Sequence, residues 1–171
     1  MRYVAFLRGV SPTNASMPAL ARCFEEAGFG GVRTLLASGN VVFDARKCAN
    51  ATLERRAERA MQARLGQAFA AIVRSQEHLQ ALLAADPFAR YALPAGAKCV
   101  ISFLRDPAAA REPTLPVVKD GARLLERRGG EVYTAYEATA KGPVFMQLIE
   151  RHFGRDITTR TLDTVRKCAS A

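Results

Sequence analysis

Tyr3-Val-Ala-Phe-Leu-Arg-Gly9 is the stretch of sequence that decides the fold. Its first five residues form a short, continuous apolar run, which is typical of a central strand covered on both faces. Arg8 and Gly9 then end the run with a cation and a glycine. We therefore predict a buried strand at residues 3–7 that leads directly into a polar loop.

Helix and strand patterns alternate in the residues that follow this run. Ser16 can cap a helix that Gly28 ends, because the apolar residues between them recur with a period of 3.6. The other predicted elements are strands at 32–36, 41–43 and 70–74 and a long helix at 51–68. The resulting order is β-α-β-β-α-β, the split βαβ unit of ferredoxin-like folds.

The second half of the chain repeats this organisation less cleanly. We predict a helix that Ser75 opens, a strand at 99–104 and a hairpin around Gly129-Gly130. A further helix runs from Pro143 to Gly154, and a last helix begins at Thr158 or Thr159. The fold class is therefore α+β. We expect a ferredoxin-like subdomain at residues 1–75 and a second, degenerate split βαβ subdomain at residues 76–171, packed together as one compact unit.

The composition is that of an ordinary globular protein. Of the 171 residues, 49% are hydrophobic and 24% are charged, which excludes disordered and collagen-like chains. No apolar run reaches the roughly 20 residues that a membrane-spanning helix needs, so we predict no membrane partner. The residues after Met1 lack the pattern of a secretory signal, and we therefore expect a cytoplasmic protein.

Cysteine and histidine do not occur at metal-binding spacings. The six residues are scattered along the chain: Cys23, Cys48, Cys99, Cys168, His78 and His152. There is no CxxC pair and no histidine at a spacing that would complete a zinc site. We expect reduced thiols, no metal and no cofactor.

The net charge of +9 comes from 25 basic and 16 acidic residues. Twenty of the basic residues are arginine and the chain has 31 alanines, a combination that GC-rich codon usage also produces. The excess is +6 in residues 1–75 and +3 in residues 76–171, with no block of five basic residues. Such diffuse charge favours contact with polyanions and carries no specificity. It does not indicate an oligomeric state.

Arg8 and Gly9 form the first candidate site, together with Asn14 in the loop that follows them. A loop that ends at a helix N-terminus is a natural anion site, because free backbone N–H groups and the helix dipole point into it. A solvated arginine followed by a glycine turn explains the same residues.

Ser38-Gly39-Asn40 form a second polar group, which we interpret as a structural turn because glycine and asparagine tolerate a positive φ. In a ferredoxin-like sheet we expect the first and third strands to lie side by side and parallel. That arrangement would place Arg8 and Asn40 at opposite ends of the sheet, which disfavours a shared site unless the topology is different.

Arg160, Thr164 and Lys167 form the third candidate site. On the predicted last helix they recur at i, i+4 and i+7, which places them on one face. This cationic stripe could bind phosphate beside the Arg8 loop. Alternatively, Asp163 could pair with Arg160 and Lys167 and leave only a solvated face.

Three segments taken together resemble the uncharacterised bacterial family catalogued as domain of unknown function 1697. They are Tyr3-Val-Ala-Phe-Leu-Arg-Gly-Val10, Val32-Arg-Thr34 with Ser38-Gly-Asn-Val-Val-Phe43, and Thr159-Arg160 with Thr164-Val165. The resemblance covers nearly the whole chain and implies an α+β fold with no assigned reaction. The chain departs from the family pattern in two loops, 10–16 and 138–142. If those loops form a site in relatives, this member binds a different ligand or none.

Three functions remain open. The first is a binding module for an anionic ligand, which is a nucleotide, a phosphometabolite or, less favoured, a nucleic acid; it depends on the net charge and on Arg8, Arg160 and Lys167. The second is a metal-independent enzyme of unknown reaction, although the sequence has no Ser/His/Asp order, P-loop or Rossmann glycines. The third is a structural or oligomerisation module.

Overall fold

The computed structural model describes residues 1–138 and 142–171, so most of the divergent loop at 138–142 lies outside the described residues. The chain forms two compact units: Met1–Ala84 with Arg166–Ala171 make up unit 1, and Ala85–Val165 make up unit 2. Helices and antiparallel sheets occur together, which confirms the α+β class. The ferredoxin-like label and the division at residue 75 stay predictions.

Unit 1 has the predicted order of elements. They are β1 (Arg2–Leu7), α1 (Met17–Glu26), β2 (Gly30–Leu35), β3 (Asn40–Asp44), α2 (Asn50–Leu65), β4 (Ala71–Ser75) and α3 (Gln76–Ala84). The strands form one sheet in the order β2-β3-β1-β4, and every neighbouring pair is antiparallel. Strand β1 is therefore central, as its apolar run predicts.

The main core of unit 1 lies between this sheet and helices α1 and α2. Alternate residues of β1 (Tyr3, Ala5 and Leu7) belong to it, together with Phe24 of α1 and Met61 of α2. The intervening residues of β1 point to the opposite face of the sheet and are also fully buried. Both faces of β1 are thus covered, which explains why the run is continuously apolar.

Strand β4 lies at one edge of the sheet, where its outward N–H groups need partners. The Val73 N–H donates to Glu54 Oε1 at 2.9 Å, and the Ala71 N–H donates to Glu58 Oε1 at 3.0 Å. Glu54 and Glu58 are one helical turn apart on α2, so both carboxylates reach the same strand. They occupy donors that would otherwise be available to a further strand.

Unit 2 is built around a second antiparallel sheet. Its elements are β5 (Lys98–Leu104), β6 (Val117–Lys119), β7 (Ala122–Arg128), β8 (Glu131–Tyr136), α4 (Val144–Phe153) and β9 (Ile157–Thr161). The strand order is β6-β7-β8-β5-β9, and α4 covers one face through Leu148, Ile149 and Phe153. Helix α5 (Leu162–Ala169) follows β9, and its last four residues belong to unit 1. No helix in the described ranges is long and apolar enough to cross a membrane.

The prediction that the last helix begins at Thr158 or Thr159 is wrong. Residues 157–161 form β9, which pairs with β5, and the helix begins only at Leu162. The cause is local, because three of these five residues are threonines, whose β-branched side chains favour strands. Thr161 then ends the strand, and its Oγ1 accepts the Thr164 N–H at 3.2 Å.

The two sheets share one strand register. In unit 1, Phe6 pairs with Asn40; in unit 2, Phe103 pairs with Glu131. One residue further on, the Leu7 N–H donates to Gly39 O, and the equivalent Leu104 N–H donates to Gly130 O, both at 2.8 Å. Strands β4 and β9 are also equivalent, since each pairs with the same positions of its central strand.

The shared register aligns short sequences that composition and spacing alone do not bring together. Phe6-Leu-Arg8 is equivalent to Phe103-Leu-Arg105, and Arg74-Ser75 is equivalent to Arg160-Thr161. Arg74 and Arg160 each donate to the backbone carbonyl of the preceding residue at 2.9 Å. The units are two versions of one strand pattern.

Unit 2 has an irregular segment where unit 1 has helix α1. Arg127 of β7 holds this segment, because its guanidinium donates to Pro107 O and to Arg111 O (3.3 Å), and also to Gly129 O (2.8 Å) in the hairpin. Its side chain is 11% exposed and pairs with Glu112 at 2.9 Å. A single cation thus secures carbonyl groups that a helix would satisfy internally.

Glu54→Ala is expected to lower the free energy of unfolding by about 2 kcal/mol, because it leaves the buried Val73 N–H without its charged acceptor. Denaturant unfolding followed by circular dichroism measures this change. Glu54→Gln should recover part of the loss, since its amide oxygen still accepts. Arg55→Ala on the adjacent, exposed position is the control and should stay within about 0.5 kcal/mol of the parent; an equal loss in both alanine variants would contradict the edge contact.

Candidate functional site

Arg8 and Asn40 lie at the same end of the unit 1 sheet, so the expectation that they lie at opposite ends is wrong. Strand β3 runs antiparallel to β1, and its first residue pairs with Phe6. The reason is that β2 and β3 form a hairpin, which reverses the chain, while the crossover through α1 makes β2 parallel to β1. The first and second polar groups are therefore neighbours.

The loop after β1 is closed by the side chain of Asn14. Its Nδ2 donates to Gly9 O and its Oδ1 accepts the Ser11 N–H, both at 2.8 Å. The backbone carbonyl of Asn14 in turn accepts Gln67 Nε2 at 3.0 Å. Asn14 thus shapes the loop through both ends of its side-chain amide.

Gly39 brings the second polar group against this loop. Its φ is +74°, and a Cβ at this position would lie 2.8 Å from Val10 Cβ and 3.1 Å from Leu7 Cβ. Asn40 is fully buried, and its Nδ2 donates to Leu35 O (3.0 Å) and to Ser38 Oγ (3.1 Å). The turn is tightly packed, and its polar side chains bond to one another.

Arg8 and Gly9 form the open part of this end of the sheet. The Arg8 N–H donates to Ala70 O at 2.9 Å, which joins the loop to the start of β4, and the Arg8 side chain is half-buried. Gly9 is exposed with a φ of +79°, and nothing lies within 4 Å of where its Cβ would be. A ligand could therefore approach the Gly9 backbone closely.

The N-terminus of α1 offers fewer donors than the sequence suggests. Ser16 caps the helix as predicted, and its Oγ accepts the Ala19 N–H at 3.3 Å. Pro18 has no N–H group. At most one N–H of the first three helical residues, that of Met17, can therefore face the loop. The dipole remains, but side chains must supply most of the donors to an anion.

Arg160, Thr164 and Lys167 do not form a helical stripe, because Arg160 lies on β9. Its Nη1 donates to Thr158 Oγ1 at 2.8 Å and to Thr159 O at 2.9 Å. Thr164 Oγ1 lies 2.9 Å from Thr161 Oγ1. Lys167 is exposed on α5. These contacts give Arg160 and Thr164 local structural roles at the junction between strand and helix.

In unit 2, acidic residues occupy two of the positions that are equivalent to the loop end of the unit 1 sheet. Asp106 replaces Gly9, and Glu131, which is buried, replaces Asn40. Tyr133 is buried two residues beyond Glu131. Burial, and to a smaller extent the Glu131 carboxylate, raise the pKa of its phenol to about 12, against the opposing effect of Arg128. The composition and spacing analysis missed this group, and only the shared register identifies it.

A cavity with a volume of about 400 Å³ lies in unit 2. Its charged side chains are paired with each other, because Arg90 contacts Glu126 and Arg127 contacts Glu112. Internal pairing leaves little attraction for a further ion. No group of three potential metal ligands occurs within residues 1–138 and 142–171.

Comparisons with known proteins give a family and a fold. Residues 1–133 match the family described as protein of unknown function (DUF1697). The structure resembles that of a conserved bacterial protein from Streptococcus pneumoniae, with a TM-score of 0.68 and 18% sequence identity, over 99% of this chain and 97% of that one. No curated protein matches the sequence.

Gly39→Ala is expected to destabilise the protein by at least about 2 kcal/mol, because it combines a strained positive φ with overlap against Val10 and Leu7. Gly66→Ala is the control, since Gly66 has a φ of +70° with nothing within 4 Å of the added carbon. It should cost about 1 kcal/mol from backbone strain alone. Denaturant unfolding of both variants measures the difference, and equal losses would refute the close packing of the turn.

Tyr133 is expected to titrate near pH 12, and its proton linkage should weaken the fold in alkali. The pKa of the folded state lies above the unfolded value of about 10. The contribution of protonated Tyr133 to the free energy of unfolding is therefore complete below pH 10, and it is lost as the pH rises toward 12. Absorbance of tyrosinate during titration should show a late step that Tyr133→Phe removes. A normal pKa for every tyrosine would contradict this assignment.

Proposed function

This chain belongs to the protein family of unknown function DUF1697, and we propose that it is a binding module for a small anionic ligand. The binding site would lie at the loop end of unit 1. The observation that carries the proposal is the antiparallel register of β1 and β3. This register brings the Arg8-Gly9 loop next to the Ser38–Asn40 turn, and the loop then leads into α1.

Arg8 is the side chain that would recognise the ligand. A guanidinium presents a planar fork of donors that matches a carboxylate or phosphate in two-point contact. Next to it, the absence of a side chain at Gly9 exposes the backbone, so a phosphate could approach the chain. The hydroxyls of Ser11 and Thr13 lie 2.8 Å apart in the same loop; one donates to the other, so the pair offers one further O–H donor.

The charge distribution supports a ligand of this sign. Unit 1 contains 13 basic and six acidic residues, so it holds seven of the nine excess positive charges. Its acidic residues include Glu54 and Glu58, which accept backbone N–H groups of β4. An anion therefore approaches a positive unit, which raises its local concentration.

The ligand class that fits best is a phosphorylated metabolite or a nucleotide. The loop offers one cation, hydroxyls and backbone groups, which suit a phosphate and leave the rest of the ligand exposed. No observation favours an oligomerisation module, because the large apolar side chains exposed in the described residues are only Met1, Leu36 and Val118. The enzyme alternative gains no supporting geometry.

Arg8→Ala is expected to weaken binding of pyrophosphate or ATP at least about tenfold, which corresponds to about 1.4 kcal/mol for one lost charged contact. Isothermal titration calorimetry at low salt measures the affinity directly. A thermal shift screen against phosphorylated metabolites first selects the best probe.

The matched control is Arg46→Ala, which removes the same charge at the opposite end of β3. It should leave the affinity within about twofold of the parent, since only long-range attraction changes. If both variants bind equally weakly, attraction is diffuse and the site is wrong. The proposal also fails if no phosphorylated compound binds the parent protein at low salt.

A further inference from the structure

The acidic residues of α2 both point away from its outer surface. Glu54 and Glu58 accept backbone N–H groups of β4, and Glu54 is 3% exposed. Because the two positions are one turn apart, a single face of the helix takes both negative charges. The remaining charged residues of α2 are all arginines.

Two of these arginines bind the neighbouring helix. Arg56 donates to Ala27 O at the end of α1, and its guanidinium lies 4.6 Å from the centre of the Phe29 ring. Arg64 forms an ion pair with Glu26 of α1. Both cations lie near the C-terminus of α1, where positive charge is favourable. Arg56 and Arg64 therefore have structural partners at the end of α1.

The other two arginines of α2, Arg55 and Arg59, lie on the helix surface that faces solvent. We call this surface the α2 outer face and define it by four residues: Thr52, Arg55, Arg59 and Gln62. All four residues are exposed. Arg55 contacts only Thr52 Oγ1, at 3.5 Å, and neither Arg55 nor Arg59 has an acidic partner in the part of the chain that the structure describes. Arg46 and Lys47, also exposed, come shortly before the helix.

This pattern is not a general consequence of a high arginine content. Arginine is about as frequent in unit 2, which has nine in 81 residues against 11 in the 90 of unit 1. In unit 2, however, four of the nine arginines are paired with carboxylates: Arg90 with Glu126, Arg127 with Glu112, Arg128 with Glu126 and Arg155 with Glu150. The α2 outer face is therefore cationic because its acidic residues are used elsewhere.

We propose that the α2 outer face docks on the phosphate backbone of a double-stranded nucleic acid. The first and last of its four residues, Thr52 and Gln62, lie ten residues apart, which is about 15 Å along the helix. Over that length a duplex presents several phosphates, at one charge per about 1.7 Å. Arginine, threonine and glutamine all donate hydrogen bonds to phosphate oxygens.

The absence of aromatic residues from this face decides between duplex and single strand. Proteins that hold single strands stack bases on aromatic side chains, and the α2 outer face has none. Contacts that reach only phosphates carry no sequence information. The interaction is therefore independent of sequence and strongly dependent on salt.

Fluorescence anisotropy with a labelled DNA duplex of mixed sequence tests the proposal across a salt series that begins at about 50 mM. Arg55→Ala/Arg59→Ala should weaken binding about tenfold at the lowest salt. It should also reduce the slope of log affinity against log salt by about 2, because each lost phosphate contact contributes about 0.9. Arg151→Ala/Arg155→Ala, exposed positions of unit 2, removes the same charge and should change neither quantity.

The proposal is wrong if the two double variants weaken duplex binding equally, or if the parent protein does not bind the duplex at low salt. It is also wrong if the parent protein binds a single strand of the same length, or phosphatidylserine vesicles, more tightly than the duplex. If Arg55→Ala/Arg59→Ala fails to fold, hydrogen exchange of the unaltered protein decides. Protection by the duplex within residues 50–65 supports the proposal, and protection confined to other segments refutes it.

Discussion

The hydrogen bonding of β1 on both sides is the constraint on which the rest of unit 1 depends. The strand pairs antiparallel with β3 and with β4, and its residues from Tyr3 to Leu7 are buried. Buried backbone groups must be paired, so both neighbours are required. The same pairing carries the chain out of the sheet at Arg8, next to Gly39 and Ala70.

The contact between α2 and β4 links edge protection to surface charge. Glu54 and Glu58 satisfy donors of an edge strand, where an open row of N–H groups would invite pairing with another chain. Carboxylates used in this way no longer neutralise neighbouring arginines. One set of hydrogen bonds therefore has two effects. It occupies donors at the sheet edge, and it leaves the outer surface of α2 cationic.

The shared register shows how one strand pattern can carry different chemistry in its two versions. Backbone contacts at Gly39 and Gly130 are equivalent, because they depend on strand geometry alone. The side chains at the same end are not conserved in charge, since Asn40 and Gly9 correspond to Glu131 and Asp106. The proposed anion site of unit 1 therefore has acidic residues at the equivalent positions of unit 2.

What the sequence by itself determined about this protein is local. The apolar run of β1, the cap at Ser16 and the α+β order follow from periodicity and backbone preferences, which depend on neighbouring residues. The tertiary structure alone decided that Arg8 and Asn40 meet, that Arg160 lies on a strand and that Glu54 bonds to β4. Periodicity identifies which face of an element is buried, but strand direction and the partner of a polar group depend on residues distant in the chain.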